Sequence, residues 1–195
     1  SMLSLYRMTV VLPTATRAWT TNELSRTAKA SFSRFVEFAV RPDLVDRELK
    51  LIRIAQKKGI WDEEEFIVRG FKANSSEVTA CFIRDEAKVE IKIKIPPQYP
   101  LCNVEVDAVS RLGVSEARMR HVRFQIVQLL SMQDGTIVDG LQLWKNSLEK
   151  EFDGYEPCPI CYCTLHAKTL SLPSMACPTC SNKFLPPCLN QWFKQ

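Results

Sequence analysis

Hydrophobic and polar positions change their spacing twice along this chain. The apolar residues Leu24, Ala28, Phe32, Phe35, Val36 and Ala39 fall on one side of a helix, and Thr20-Thr-Asn-Glu23 in front of them has the spacing of a capping box. Arg41-Pro42 predicts the end of that helix, because proline lacks the amide that a helix interior needs. A second helix is expected over residues 43–57, with Leu44, Leu49, Ile52 and Ala55 inward and Gly59 at its stop. Ahead of both, residues 3–19 show no clean period, and Thr9-Val-Val-Leu12 is a short apolar run ended by Pro13. The two helices read as core-packing elements rather than the walls of a cofactor groove.

The period then drops to two. Strands are expected over residues 66–73, 78–83 and 89–95, with Asn74-Ser75-Ser76 and Arg84-Asp85-Glu86 where hairpin turns are needed. In the third, Val89, Ile91, Ile93 and Ile95 alternate with Lys88, Glu90, Lys92 and Lys94, as an antiparallel sheet with one wet face requires. Ile95-Pro-Pro-Gln-Tyr99-Pro100-Leu101 stops the ladder, and a fourth strand follows through Val104, Val106 and Ala108. Helical spacing returns from a Ser115 cap through Val122, Ile126, Leu129 and Leu130, and again from Thr136 through Ile137, Leu141, Trp144 and Leu148. The fold class is therefore α+β: a four-stranded antiparallel meander with flanking helices, preceded by a helical segment.

A length of 195 residues admits one ordinary domain plus a small one, and 46% hydrophobic with 25% charged residues is a globular composition. A net charge of +4 does not by itself argue for nucleic acid or an acidic membrane. The row Lys88, Lys92, Lys94 could face ribosomal RNA, but Glu90 in the same row favours a solvated face. No apolar run approaches the roughly 20 residues that span a bilayer, and no secretory leader pattern opens the chain. Ser1-Met2 reads as an addition in front of a fragment of a longer protein.

Six of the eight cysteines lie between Cys158 and Cys188. Cys158-Pro-Ile-Cys161 and Cys177-Pro-Thr-Cys180 each place two thiolates on one tight turn, and Cys188 follows. Paired spacing of this kind suits tetrahedral zinc better than disulfides, and reduced, metal-ready cysteines point to the cytosol. Cys163 and His166 are candidate substitute ligands; Cys81 and Cys102 read as packing thiols within strands.

The flanking residues carry a resemblance. Cys-x-Ile-Cys161, Leu165-His166, Ser171-Leu-Pro, Ala176-Cys-Pro-Thr-Cys180 and Cys188-Leu-x-x-Trp192-Phe193 together resemble the RING domain of the listerin family of ubiquitin ligases. The sheet region, with Pro-x-x-Tyr99-Pro-Leu, Gly113-Val114, Gly135-Thr-Ile and Gly140-Leu-x-Leu-Trp-Lys-Asn146, resembles the same family and an RWD domain, a relative of ubiquitin-conjugating enzymes. The resemblance implies a helical segment over 1–60, an RWD-like domain over 61–153 and a RING-type zinc domain over 154–195. It assigns Cys158, Cys161 and Cys188 to a first zinc, and Cys177 and Cys180 to a second. The family's histidine falls on Leu185, which cannot ligate, and the last Cys-Pro-x-Cys pair is not within the 195 residues. By position, Ile160 and Trp192 match the apolar residues that grip a ubiquitin-conjugating enzyme, while Phe193 reads as core.

The activity implied is ubiquitin transfer from that enzyme to stalled nascent chains, with docking on the large ribosomal subunit near the nascent-chain exit. No cysteine stands at a catalytic place after the Tyr-Pro turn, so the RWD-like part reads as a binding module. Two other readings stand beside this one. One is a non-enzymatic RWD adaptor with a degenerate zinc tail. The other is a zinc ribbon on nucleic acid, for which Lys168, Lys183 and Lys194 are too few.

Overall fold

The computed structural model describes residues 1–62, 64–69, 76–108 and 116–194. At its centre is an antiparallel sheet of β1 (Phe66–Arg69), β2 (Glu77–Arg84), β3 (Ala87–Lys94) and β4 (Glu105–Ala108), in that order. Alternation in β3 sets the register: Val89 lies opposite Phe82, Ile91 opposite Ala80 and Ile93 opposite Val78, and all six side chains are buried on one face. The other face carries Lys92 3.4 Å from Glu77 and Lys94 3.1 Å from Asp107, which makes these two lysines paired surface groups. The expected turn at Asn74-Ser75 and the Ser115 cap lie outside the described residues.

Two helices, α5 (Glu116–Met132) and α6 (Ile137–Phe152), cover the buried face. A complete capping box starts α6, with the Thr136 hydroxyl accepting from the Asp139 amide and the Asp139 carboxylate accepting from the Thr136 amide. Trp144 and Phe152 reach the sheet, their rings 5.7 Å from Phe66 and Phe82 respectively. Gly140 lets α6 close on α5, since a Cβ there would stand 3.3 Å from the Ile126 side chain.

The chain before the sheet is helical throughout, and here the structure corrects the sequence reading. Residues taken as patternless form α1 (Met2–Val11) and α2 (Pro13–Asn22). Their inward positions are the buried threonines Thr9, Thr16 and Thr20, whose hydroxyls donate to the carbonyls of Leu5, Leu12 and Thr16 at 2.8, 2.9 and 2.7 Å. A buried face built of threonine gives no hydrophobic signal. The Thr20-Thr-Asn segment ends α2 instead of starting the next helix; α3 (Arg26–Phe35) is capped by Ser25, which accepts from the Ala28 amide.

Arg41-Pro42 does not end the helix either. A π-helical stretch, Val36–Val40, joins α3 directly to α4 (Arg41–Lys57), and Pro42 falls immediately after these wider turns, at the start of α4. The wider π spacing moves the inward position from Ala39 to Val40, which is fully buried, and leaves Phe38 exposed. Gly59, at a φ of +64°, closes α4 as expected.

Polar contacts fasten this helical segment to the sheet and its helices. Arg17 of α2 donates to the Pro100 carbonyl from Nε (3.0 Å) and Nη2 (2.7 Å), and to the Ser131 carbonyl from Nη1. Thr14 donates to Asp134 at 2.6 Å, and Arg41 reaches the Pro96 carbonyl at 3.1 Å. Glu48, buried on α4, accepts from the Ile137 amide at 2.8 Å, at the start of α6. Ile52, Ala55 and Trp61 join the same core as Phe66, Phe82, Trp144 and, from the cysteine-rich stretch, Leu165. Cys81 is buried in β2, but Cys102 lies exposed in the turn after Pro100 rather than packed in a strand. Among the described residues no helix is long and apolar enough to cross a membrane.

Glu48 makes stability depend on pH. Burial pushes its carboxyl above the ordinary 4.5, and the Ile137 amide and Arg47 offset this only in part. The folded protein therefore holds a proton that the unfolded chain has released, so stability is greatest below the unfolded value and falls as pH rises through the raised one. Glu48→Gln, which keeps an acceptor for Ile137, is expected to raise the thermal midpoint at pH 7.5 and to match the parent more closely at pH 5. Glu48→Leu, which orphans that amide, should cost about 1–3 kcal/mol in denaturant titrations.

Candidate metal centre and adjoining groove

Two knuckles of the same shape organise the cysteine-rich stretch. In the first, the Tyr162 amide donates to the Cys158 carbonyl at 2.7 Å; in the second, the Ser181 amide donates to the Cys177 carbonyl at 2.9 Å. Tyr162 and Ser181, each one residue past the second cysteine, both turn at a φ of 60°. Pro159 and Pro178 fix the backbone just inside each turn. The second knuckle is the turn of a short hairpin, with β5 (Met175–Ala176) before it paired to β6 (Lys183–Phe184) after it, and α7 (Pro186–Trp192) follows.

The first knuckle meets α7. The sulfurs of Cys158, Cys161 and Cys188 all lie within 4.8 Å of one another, a set that could hold a metal ion. Leu185, at the N-terminal edge of α7, donates its amide to Cys158 Sγ at 3.4 Å, and its side chain is fully buried. Leu185 thus brings an amide, and no side-chain donor, to the three thiols. Thiolate donors at this spacing suit zinc, and the amide bonds to sulfur are those that support a thiolate ligand.

The electrostatics of the three thiols fit the same chemistry. Burial pushes Cys158 up, but the amides of Leu185, Ile160 and Cys161 outweigh it and bring the thiol below its ordinary value. Cys188 is pushed up to about 12 by burial and by the neighbouring Cys161 and Cys158 sulfurs. Three thiolates repel one another, and a dication among them would reverse that sign.

The second knuckle stands apart. Cys177 is half-buried and Cys180 exposed, and among the described residues neither joins a group of three or more possible ligands. The amides of Cys180 and Thr179 lower the Cys177 thiol, so this turn too is set up for a thiolate. Neither substitute candidate joins the first cluster. His166 Nδ1 accepts from the Thr169 amide at 3.2 Å, and the Cys163 thiol donates to the Cys161 carbonyl at 3.4 Å.

Beside the thiols lies an apolar groove of about 630 Å³, lined by Ile160, Met175, Phe184, Leu189, Trp192 and Phe193 among others. Trp192 is 63% exposed and Phe193 78% exposed, so Phe193 belongs to the surface and not to a core. A helix as short as α7 leaves its last residues beyond any layer that could cover them. Met175 and Phe184, opposite one another in the β5–β6 pair, enter this surface unannounced, because two-residue strands are too short to show a period.

Comparison with known proteins places these parts together. A family model described as ubiquitin conjugating domain-like matches residues 68–151, the sheet with α5 and most of α6. The chain is similar to the E3 ubiquitin-protein ligase listerin of Saccharomyces cerevisiae (32% identical over 98% of this chain), of Drosophila melanogaster (37% over 93%) and of Xenopus tropicalis (33% over 96%). It spans 12%, 10% and 11% of those proteins' own lengths. The matches to listerin run through the helical segment, the sheet and the cysteine-rich stretch alike, and on this relatedness the chain belongs to the listerin family.

Proposed function

We propose that this chain is the part of a RING-type ubiquitin ligase that receives a ubiquitin-conjugating enzyme and presents it to a substrate. The observation that carries the reading is the convergence of Cys158, Cys161 and Cys188 directly beside an apolar groove whose exposed anchor is Trp192. Zinc bound by these thiolates would supply a cross-link between the first knuckle and α7. Ile160, in the knuckle, and Trp192, in α7, then stand at fixed spacing on one surface, as an aromatic hot spot with an aliphatic neighbour requires. Cys177 and Cys180 would contribute two ligands to a second zinc.

No side chain of this surface attacks a bond. Its contribution is orientation: a thioester and a lysine amine held close react as if at very high local concentration. The sheet with its helices is a binding module in this reading, docked on the large ribosomal subunit near the nascent-chain exit. The substrate is the stalled nascent chain, and the setting is the cytosol.

A second reading, an adaptor without ligase activity, is favoured by one feature. Leu185 stands where the family resemblance expects a histidine and offers no side-chain donor, which leaves Cys158, Cys161 and Cys188 as a set of three.

Zinc analysis and ubiquitin discharge separate the two. The chain purified in zinc should retain at least one equivalent, lose it on Cys158→Ser, and melt at lower temperature after chelation. Leu185→His, which adds a nitrogen donor beside Cys158, should raise the chelator concentration needed to strip the metal by about tenfold or more. Trp192→Ala should weaken the conjugating enzyme's binding by roughly thirtyfold, the loss of a ~2 kcal/mol anchor, with no change in the thermal midpoint. Zinc-loaded chain that fails to accelerate discharge from a charged conjugating enzyme would leave the adaptor as the function.

A further inference from the structure

The turn between β2 and β3 is where the sheet touches the cysteine-rich stretch. Asp85 occupies that turn at a φ of 54°, a left-handed conformation that aspartate, asparagine and glycine adopt more readily than other residues. Its Oδ2 accepts two backbone amides, Thr164 at 2.7 Å and Leu165 at 3.2 Å. Both residues follow closely after Cys161, on the strand of chain that leaves the first knuckle. Thr164 and Leu165 are buried, and the Leu165 side chain lies in the core beneath the sheet. One carboxylate thus holds the backbone of this segment while the next side chain is inserted.

We propose that Asp85 is a positioning residue: its carboxylate fixes the first cysteine knuckle on the sheet and so sets the direction in which the Ile160–Trp192 surface faces. Leu165, with the half-buried Leu170 and Leu172 packed against the same core, supplies depth but little angular restraint, because apolar contact is non-directional. Two amides converging on one charged oxygen define a direction, and such bonds are the stronger kind. Tyr162 and Thr164 also border a hollow of about 540 Å³ against Glu64, Arg84 and Asp85, so the contact around the clasp is not closely packed on that side. The consequence for ubiquitin transfer rests on the ligase reading given above; the clasp itself does not.

Two variants isolate the carboxylate from the turn. Asp85→Gly keeps the left-handed conformation and removes the acceptor; Asp85→Asn keeps the conformation and one neutral acceptor. In the zinc-loaded chain, Asp85→Gly should speed hydrogen exchange at the Thr164 and Leu165 amides by roughly tenfold or more. It should also give the cysteine-rich stretch a rotational correlation time, from ¹⁵N relaxation, that separates from that of the sheet. Asp85→Asn should restore most of both. Discharge of ubiquitin to free lysine, which needs no fixed direction, should stay within about twofold of the parent, while transfer to a ribosome-held nascent chain drops several-fold.

Unchanged exchange and a single correlation time in Asp85→Gly would overturn the proposal and leave the apolar packing of Leu165, Leu170 and Leu172 as what holds the stretch on the sheet. Absence of discharge in the parent would defeat the ligase reading alone, with the clasp still judged by exchange and relaxation.

Discussion

A stretch of about forty residues cannot bury enough apolar surface to hold itself together, and the cysteine-rich end of this chain is built around that limit. It has two-residue strands, one short helix and few buried side chains of its own. Two devices compensate. Thiols gather where a metal can tie one turn to α7, and Leu165 is inserted into the core of the neighbouring sheet. Cross-linking by a bound metal would act within the stretch, whereas Leu165 and the Asp85 carboxylate act between it and the body. The exposed Trp192 and Phe193 are what remains when so small a unit has spent its apolar residues at a surface rather than inside.

The local chemistry of the thiols shows the same economy. Burial and mutual repulsion oppose three adjacent thiolates; the backbone amides of the knuckle stabilise charge at Cys158, while burial and the neighbouring sulfurs raise Cys188 above its ordinary value. The three sulfurs are therefore brought together by the fold at a cost, which a bound cation would remove. Leu185 keeps the amide that a ligand-bearing residue would offer to Cys158 while its side chain goes to the interior. Shape survives at that position although a donor does not.

Legibility followed the strength of each physical signal. The four strands were readable because β3 alternates strictly and its partners are apolar, and α6 was readable because four inward side chains recur at helical spacing after Thr136. The first two helices were not, since their buried positions are threonines that satisfy their own hydroxyls within the helix. Pro42 was mistaken for a stop because proline in a first turn and proline after a last turn look alike without the backbone. Glu48 gave no warning at all; an acid on a helix reads as solvated until its partner, the Ile137 amide, is brought from 89 positions away. The cysteine pairs were legible from spacing, whereas the grouping of Cys188 with Cys158 and Cys161 came from the family resemblance, because Cys188 is delivered by a helix whose direction spacing does not fix.

Arg17 bears on where this body can be divided. Its guanidinium satisfies the carbonyls of Pro100 and Ser131, which border the turn into β4 and the end of α5. The part that resembles a ubiquitin-conjugating domain begins only at residue 68, well after this arginine. Ile52, Ala55 and Trp61 lie on one side of that stretch and Phe152 and Leu165 on the other, all within a single core. A piece trimmed to the recognisable stretch would present raw apolar surface at both ends and two unanswered carbonyls, and would tend to aggregate. The match to the ubiquitin conjugating domain-like family thus covers less of the chain than the part that packs around one core.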